Sequence, residues 1–354
     1  MKIALGQMHI RWEDKAANLA RVESWAELLK EKNIDLFVLP EMSLTGFSMH
    51  TELTKETDNI TVAEAERLAR KYQMAVGIGW VKDVGKFCEN RYSIVTPEGE
   101  ILEYTKLHPF SYSGEDRYFQ GGTLLPVCEY GGYHLGVQIC YDLRFPEAFQ
   151  ALSRQADLIL VPANWPGRRR EHWISLLQAR AIENQCYIAG VNCVGDMDGQ
   201  TYTGDSRLYG PDGALCSGET LMPADAQPGE CAFIYEIDDQ VKKVRTQFPV
   251  KKDRRDALYL SLIHISEQNH SEQPSGTSVP GIADLYYVAD FFMRTWAVRC
   301  NHRKRYCRCH CSTAYGIWTN YNWNCGSTLA AFNCNRNASG VNCHCPFLYC
   351  KCWI

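Results

Sequence analysis

The chain has 354 residues, with 45% hydrophobic and 22% charged side chains, which is the balance of a globular protein large enough to bury a sizeable core. Its formal net charge of -4 shows no basic excess, so neither nucleic acid nor an anionic membrane surface is expected as a partner. No stretch offers about 18 uncharged apolar residues in a row, and the sequence therefore predicts no membrane-spanning helix.

Short β-rich runs alternate with amphipathic helical stretches from residue 1 to about 260, and this alternation predicts an α/β fold. The first run lacks the long apolar core and small-residue end of a signal peptide, so we expect a cytoplasmic protein. The predicted strands are Lys2–Gln7, Leu36–Leu39, Ala75–Trp80, Asn90–Thr96, His134–Cys140, Leu158–Pro162, Tyr187–Val194, Ser206–Tyr209 and Cys231–Glu236. The predicted helices are Lys15–Lys32, Ala63–Lys71, Phe145–Gln155 and Trp173–Asn184.

Two kinds of local pattern refine this fold class. Apolar residues recur three or four apart in the first helix, which places them on one face for packing onto a sheet; they are Leu19, Val22, Trp25, Ala26 and Leu29. Turn signals at 97–99 (PEG) and 211–213 (PDG) lie between β runs and predict a partly antiparallel sheet. No G-x-G-x-x-G motif follows a strand, so a dinucleotide site is not expected.

Two polar side chains, Glu41 and Lys106, follow a predicted strand and a β-like run respectively. Glu41 comes directly after the apolar run Leu36–Leu39 and Pro40, where water solvates a carboxylate poorly, and such an acid suits general base catalysis. The alternative is a glutamate that caps a turn or pairs with an arginine. Lys106, in EYTKLHPF, follows a β-like run; its ammonium would stabilise an oxyanion or a thiolate, unless it is an ordinary surface lysine.

Cys140 stands where an apolar run turns abruptly polar, in GVQICYDLRFPE. The run before it is strand-like and the residues after it lead through Pro146 into a helix. This position predicts a thiol at a strand-to-helix turn, where backbone N–H groups bind an anion and the local dipole lowers the pKa of the thiol. The alternative is a structural buried cysteine, as expected of Cys186 and Cys193.

These three motifs together resemble the Glu-Lys-Cys site of the nitrilase, or carbon-nitrogen hydrolase, superfamily. The motifs are LPEM around Glu41, YTKLHPF around Lys106 and GVQICYDLRFPE around Cys140. Further matches are PANWP at 162–166, QARAIENQCYIAGVN at 178–192 and GDSRLYGPDG at 204–213, so the resemblance spans about residues 1–260. Within the superfamily the sequence is most similar to the ω-amidase branch, whose members hydrolyse the terminal amide of 2-oxo dicarboxylic acid monoamides.

The resemblance implies a fold and a chemistry. The expected fold is an α-β-β-α sandwich with the site at the strand ends, assembled as a homodimer. Cys140 would attack the amide carbon, Glu41 would take the thiol proton, and Lys106 together with the backbone N–H of Tyr141 would hold the oxyanion. The reaction needs no metal or organic cofactor, and residues 1–262 offer no cluster of ligands at metal-binding spacing.

The resemblance also implies further site residues. Glu115, in SYSGEDRYFQGG, matches an additional glutamate that orients the lysine and the substrate; the alternative is a simple loop acid. Substrate-binding candidates are Arg144, Trp165, Phe110 and the arginines at 168–170, since a 2-oxo acid presents a carboxylate that an arginine or backbone donors must meet. Arg144 would otherwise form a structural ion pair with Glu147 or Glu183.

The expected function is hydrolysis of a small-molecule amide, 2-oxoglutaramate or 2-oxosuccinamate, to acid and ammonia through a cysteine thioester. Alternatives within the superfamily are a deaminated-glutathione amidase, an N-carbamoyl amide hydrolase and a nitrilase. A non-catalytic scaffold that kept the fold is the alternative from another class, but it would have no need of the four polar site residues.

The last 92 residues differ from the rest in composition. They hold 10 of the 17 cysteines, and their 8 Lys and Arg outnumber 4 Asp and Glu, whereas residues 1–262 hold 29 against 37. We expect residues 1–262 to form the hydrolase domain and 263–354 a linker with a Cys-rich extension without a stable fold, of frame-shifted, read-through or cloning origin. The alternatives are a zinc module, although C-x-C pairs are not zinc knuckles, a disulfide-rich module or a grafted interaction module.

Overall fold

The computed structural model describes residues 1–259 and 261, together with the backbones of five strands further along the chain. The chain divides into two units, Met1–Asp256 and Ala257–Ile354. No helix among the described residues is long and apolar enough to cross a membrane.

The first unit alternates strands and helices as the sequence predicts. Its fourteen strands are β1 Lys2–Gln7, β2 Leu36–Val38, β3 Ala75–Asp83, β4 Cys88–Thr96, β5 Gly99–Thr105, β6 Val127–Tyr130, β7 Tyr133–Val137, β8 Leu158–Ala163, β9 Tyr187–Asn192, β10 Val194–Met197, β11 Gln200–Thr203, β12 Arg207–Tyr209, β13 Glu219–Leu221 and β14 Cys231–Glu236. Its helices are α1 Lys15–Lys30, α2 Thr51–Thr54, α3 Ile60–Tyr72, α4 Pro146–Leu152, α5 Arg170–Asn184 and α6 Gln240–Gln247.

Two mixed sheets form the centre of this unit. One has seven strands in the order β13-β14-β1-β2-β3-β4-β5, and the other has five in the order β12-β9-β8-β7-β6. Their facing sides share one apolar core, in which Leu5 and Val38 of the larger sheet pack with Leu160 and Val191 of the smaller one. Burial of these side chains between the sheets drives the two layers together.

The long helices cover the outer faces of the sheets. Trp25 of α1 and Leu68 of α3 pack in one core with Phe37 and Val76 on the outer face of the larger sheet. On the smaller sheet, α4 and α5 contribute Phe149, Trp173 and Leu177 to a core with Ile159 and Ile188. The order of layers is helix, sheet, sheet, helix, and the predicted α-β-β-α sandwich is confirmed.

The predicted strand Leu36–Leu39 ends one residue early, at Val38, and two other predicted strands end earlier by more than one residue. The predicted strand His134–Cys140 stops at Val137, because the chain turns at Cys140 into a short 3-10 turn, Cys140–Arg144. The predicted strand Tyr187–Val194 divides after Asn192, since β10 leaves the sheet and pairs with β11 in a separate hairpin. The turn at 97–99 joins the antiparallel strands β4 and β5, as predicted.

In the second unit the structure describes the backbones of β15 Tyr306–Ser312, β16 Trp318–Asn324, β17 Cys334–Asn337, β18 Gly340–Cys345 and β19 Leu348–Cys352. The first two form an antiparallel pair, and the other three form an antiparallel sheet. No strand was predicted here from the sequence. The side chains and the stretches between these strands lie outside the described residues, so the prediction for 263–354 stays a prediction, as does the boundary at residue 262.

Candidate active site

Three side chains meet where strands of both sheets end. Glu41 lies three residues after β2, and Lys106 directly follows β5 in the larger sheet. The N–H of Lys106 donates to the carbonyl of Asn90, so this residue extends the β4–β5 ladder by one step. Cys140 comes from the smaller sheet, at the start of the turn that follows β7. Ligands of α/β proteins bind at such strand ends.

A buried ionic cluster forms the floor of this site. Nζ of Lys106 lies 2.9 Å from Oε1 of Glu41 and 2.9 Å from Oε2 of Glu115, and all three side chains are at most 1% exposed. The side-chain amide of Asn90 donates to both carboxylates, at 2.8 and 3.1 Å. Each member is therefore paired, as burial of charge requires. The structure brings together Glu41, Lys106 and Glu115, and contradicts the surface-lysine alternative.

Protonation in the cluster follows from these neighbours. Burial acts to lower the pKa of the Lys106 ammonium, but the carboxylates of Glu115 and Glu41 outweigh this effect and raise the pKa above its ordinary value. Burial raises the pKa of the Glu115 carboxyl against the opposing charge of Lys106. The two carboxylates thus favour the ammonium form of Lys106, which lines the same cavity as Cys140.

A tight turn holds Glu41 at the end of β2. Oε2 of Glu41 accepts from the backbone N–H of Asn164 at 2.9 Å, and the side-chain amide of Asn164 donates to the carbonyl of Glu41 at 2.6 Å. Gly79 on β3 lies against the same turn, where an added Cβ would stand 2.4 Å from the backbone nitrogen of Met42. These contacts hold the carboxylate of Glu41 in one position.

Cys140 has an uncommon backbone conformation. Its φ of 45° lies in the left-handed region, which residues other than glycine seldom adopt. The side chain is partly exposed, and Sγ lies 3.9 Å from the carbonyl oxygen of Asn164. Burial and the carboxylate of Glu41 raise the pKa of the thiol well above its usual range, against the opposing effect of Lys106. The predicted lowering of this pKa is therefore wrong, because burial and the charge of Glu41 both favour the protonated thiol.

The turn after Cys140 presents a backbone donor. Residues Cys140–Arg144 form one 3-10 turn, and the N–H of Tyr141 lies in its first residues, where no carbonyl of the same turn can accept from it. Within residues 1–259 this N–H donates to no protein acceptor. It is thus free to donate to an oxygen atom of a ligand, and the oxyanion role that the resemblance implies for it stays a prediction.

A cavity of about 230 Å³ opens over the thiol. The predicted substrate residues Arg144, Trp165 and Phe110 all line it together with Cys140 and Lys106. Six aromatic side chains contribute to its walls, and they belong to Trp12, Phe47, Phe110, Tyr141, Trp165 and Tyr202.

Arg144 contacts an aromatic ring and a histidine. Its guanidinium lies 4.7 Å from the centre of the Trp165 ring, and one nitrogen lies 3.3 Å from Nδ1 of His172. Among residues 1–259 it pairs with neither Glu147 nor Glu183, and the latter pairs instead with Arg180 at 3.0 Å. The structural ion-pair alternative for Arg144 is contradicted.

Two further cations line the cavity, Arg168 and Arg169. The guanidinium of Arg169 lies 5.3 Å from the centre of the Phe110 ring, and burial followed by the charges of Arg168 and Arg144 lowers its pKa. The third predicted arginine, Arg170, does not line the cavity, because its guanidinium pairs with Asp205 at 2.7 Å; that part of the prediction is wrong. The cavity is therefore positive, with Asp198 as the acid in its lining besides the buried cluster beneath.

Sequence reasoning missed two asparagines that shape the site, Asn90 and Asn164. The second lies in the PANWP stretch, where a polar residue follows the buried strand β8, and that position is the same signal that identified Glu41. Asn90 lies within β4 and had no such signal. Among the described residues no three His, Cys, Asp or Glu side chains are grouped to hold a metal ion.

A buried acid, a lysine and a cysteine lie at the strand ends of this α-β-β-α sandwich, and these are the side chains that a thiol-dependent hydrolase needs. The carbon-nitrogen hydrolase family model matches residues 2–241, and the chain belongs to this family. It is an enzyme that hydrolyses carbon–nitrogen bonds. The predicted membership of the nitrilase superfamily is confirmed.

Characterised relatives agree with this assignment. An ω-amidase of Yersinia enterocolitica is 34% identical over 263 residues, which are 73% of this chain and 99% of the relative. A 2-oxoglutaramate amidase of Bacillus subtilis is 33% identical over 260 residues, 72% of this chain and 97% of the relative. A crystal structure of a CN-hydrolase superfamily protein of Xanthomonas campestris, with an arsenic adduct in its active site, is 31% identical with a TM-score of 0.65, covering 72% and 97%. The predicted similarity to ω-amidases is confirmed.

Proposed function

We propose that this protein is an ω-amidase, which hydrolyses the terminal amide of a 2-oxo dicarboxylic acid monoamide such as 2-oxoglutaramate or 2-oxosuccinamate. The products are the 2-oxo dicarboxylate and ammonia. The names of the relatives in Yersinia enterocolitica and Bacillus subtilis support this activity. The observation that carries it is the positive cavity over the thiol.

Three guanidinium groups line that cavity, those of Arg144, Arg168 and Arg169. Like charges so close together are unfavourable until an anion binds among them. A carboxylate matches the planar donors of arginine in geometry and charge. The proposed substrate carries its carboxylate at the end opposite to the amide, so one end binds the arginines while the other reaches Cys140.

The size of the cavity supports a small substrate. Its volume of about 230 Å³ is below the roughly 300–1,000 Å³ of pockets that hold drug-sized ligands. A five-carbon acid amide suits this space better than a tripeptide derivative does. Aromatic rings on several sides, among them Trp165 and Phe110, would exclude water from the reacting amide.

In the proposed acylation step the sulfur of Cys140 bonds to the amide carbon while the thiol proton passes to Glu41. The carbonyl oxygen becomes an oxyanion, which the ammonium of Lys106 and the N–H of Tyr141 stabilise. Glu41 then returns the proton to the amide nitrogen, the carbon–nitrogen bond breaks, and ammonia leaves. Glu115 keeps Lys106 in place through both of its carboxylate oxygens, at 3.1 and 2.9 Å.

In the proposed deacylation step one water molecule hydrolyses the thioester. The oxygen of the water bonds to the thioester carbon while Glu41 accepts a proton from the water. The ammonium of Lys106 and the N–H of Tyr141 stabilise the oxyanion that forms in this second step. The carbon–sulfur bond then breaks, and Glu41 returns the proton to the sulfur of Cys140. The cycle consumes one water and needs no oxidant, metal or organic cofactor.

The test is a comparison of kcat/KM across five compounds with the full chain. They are 2-oxoglutaramate, 4-oxopentanamide, deaminated glutathione, an N-carbamoyl β-amino acid and an aliphatic nitrile. In 4-oxopentanamide a methyl group replaces the carboxylate, so we expect a kcat/KM about 10- to 100-fold below that of 2-oxoglutaramate. A higher value for any of the last three compounds would replace the ω-amidase assignment by one of the alternatives within the superfamily.

We further propose that the enzyme is a cytoplasmic homodimer. All seven cysteines of the first unit are free thiols, which agrees with a reducing compartment. Ile182 on α5 and Leu215 after β12 leave 53% and 57% of their surfaces exposed, as apolar residues at a subunit interface do. Light scattering on the purified chain should give twice the chain mass; the mass of a single chain would contradict the dimer.

A further inference from the structure

Asp142 carries a carboxylate that the proposed mechanism does not use. It is completely buried, two residues after Cys140. Oδ1 accepts from the backbone N–H of His108 at 3.0 Å and lies 2.8 Å from Nδ1 of the same residue. Oδ2 accepts from the hydroxyl of Tyr104 at 2.8 Å and from the N–H of Ile139 at 2.9 Å. Since a carboxylate has no proton to give, the His108 ring carries its proton on Nδ1.

The donors to Asp142 come from both segments that supply the oxyanion site. Tyr104 and His108 lie on either side of Lys106, at the end of β5 in the larger sheet. Ile139 precedes Cys140 and belongs to the segment after β7 in the smaller sheet. The hydroxyl of Tyr104 also accepts from the side chain of Gln138, at 3.0 Å. One buried carboxylate therefore joins the lysine segment directly to the cysteine segment across the sandwich.

We propose that Asp142 is a positioning residue, which fixes the N–H of Tyr141 relative to the ammonium of Lys106. This role rests on the proposed function in one respect: the N–H of Tyr141 and the ammonium of Lys106 must both stabilise an oxyanion. The two donors come from different sheets, whose separation an apolar core alone would leave adjustable. Hydrogen bonds to an ionised carboxylate are about twice as strong as neutral ones, and four of them converge here. A misplacement of about 1 Å in such a site costs about 100-fold in rate.

A second aspartate with similar contacts provides a matched control. Asp157 lies 3.2 Å from the N–H of His134 and 3.1 Å from its Nδ1, with the same pairing to one histidine. This pair joins β7 to the start of β8, away from the cavity residues. If Asp142 merely stabilised the fold, replacing either aspartate by asparagine would have the same kind of effect.

The experiment compares Asp142→Asn, Tyr104→Phe and Asp157→Asn in the full chain. Active thiols are first counted by titration, so that kcat refers to folded sites only, and the amide of the panel that is hydrolysed fastest serves as substrate. We expect Asp142→Asn to lower kcat about 10- to 100-fold with KM changed less than about twofold. Tyr104→Phe should lower kcat less, because three donors to Asp142 remain, and Asp157→Asn should leave kcat unchanged.

Crystal structures of the wild type and Asp142→Asn supply a readout that is independent of turnover. The distance from the Tyr141 nitrogen to Nζ of Lys106 should change in the variant. An unchanged distance, or an unchanged kcat per titrated thiol in both Asp142→Asn and Tyr104→Phe, would overturn the positioning role. A wrong substrate class would appear instead as poor turnover of 2-oxoglutaramate by the wild type, so the two proposals fail separately. Where Asp142→Asn does not fold, Tyr104→Phe decides the question alone.

Discussion

Nζ of Lys106 lies 2.9 Å from Oε1 of Glu41, although the two residues are 65 positions apart in the sequence, and both side chains are buried. Glu115 binds the same ammonium, so two carboxylates share one cation. In the proposed mechanism this arrangement links proton transfer to oxyanion binding. When Glu41 takes the proton of Cys140 it loses its charge, and the attraction of Lys106 passes to the oxyanion that forms at the same moment.

The first prediction concerns removal of this cation. Lys106→Met keeps an unbranched side chain but leaves Glu41 and Glu115 as facing buried carboxylates. Loss of one partner of a buried ion pair costs about 3–5 kcal/mol of stability, and loss of an oxyanion donor costs about 100- to 1,000-fold in kcat. Urea unfolding and steady-state kinetics measure the two effects. A variant with near wild-type kcat would contradict the role of Lys106.

The second prediction concerns recognition of the substrate carboxylate. Arg144→Gln should raise KM for 2-oxoglutaramate about tenfold, because the lost interaction is a hydrogen bond to a charged group, and it should change KM for 4-oxopentanamide little. Arg170→Gln is the matched control, since this guanidinium binds Asp205 and Glu171 outside the cavity. Equal effects of Arg144→Gln on both amides would show that the arginine does not bind the carboxylate.

The third prediction concerns the protonation of the nucleophile. Because burial and the charge of Glu41 raise the pKa of the Cys140 thiol, its alkylation by iodoacetamide should accelerate as pH rises, with a midpoint above the value of about 8.5 for a free thiol. Mass spectrometry follows the modification, and Cys140→Ala identifies the contribution of other thiols. A fast rate that stays constant between pH 6 and 8 would indicate a thiolate and contradict this result.

The fourth prediction concerns the turn that holds Glu41. Gly79→Ala places a methyl group against the backbone of Met42 and should displace the carboxylate, so kcat should fall about 10- to 100-fold. Gly190→Ala on β9 is the control, because its Cβ would meet the side chains of Leu177 and Trp173 instead. Gly190→Ala should lower the melting temperature but leave kcat per folded molecule at the wild-type value. Equal kcat values in the two variants would contradict the positioning of Glu41 by this contact.

Glu41 and Cys140 were predictable because each stands where a run of buried residues ends. Lys106 was predictable only from its position after a β-like run, since β5 has just two buried side chains, Leu102 and Tyr104. Glu115 lies in a loop without such a pattern and emerged only through the family resemblance. The pKa of Cys140 was predicted in the wrong direction, because burial and the proximity of Glu41 depend on how the two sheets face each other, and no local pattern records that.

Strand ends were less predictable than strand centres. The segment around Val194 continues the β pattern of β9 without interruption in the sequence, yet the chain leaves the sheet there to form the hairpin β10–β11. This hairpin brings Tyr202 to the cavity, so the misplaced boundary also hid a cavity residue. Tertiary contacts, here the pairing of β10 with β11, decided where the strand ends.

The most direct test of the central claim is ammonia release from 2-oxoglutaramate by the full chain, together with the intact mass of the enzyme during turnover. We predict steady release, a transient mass gain equal to the acyl group, loss of both in Cys140→Ala, and no loss in Cys128→Ala, whose thiol lies outside the cavity. Ammonia release that persists in Cys140→Ala would contradict thioester catalysis by this residue.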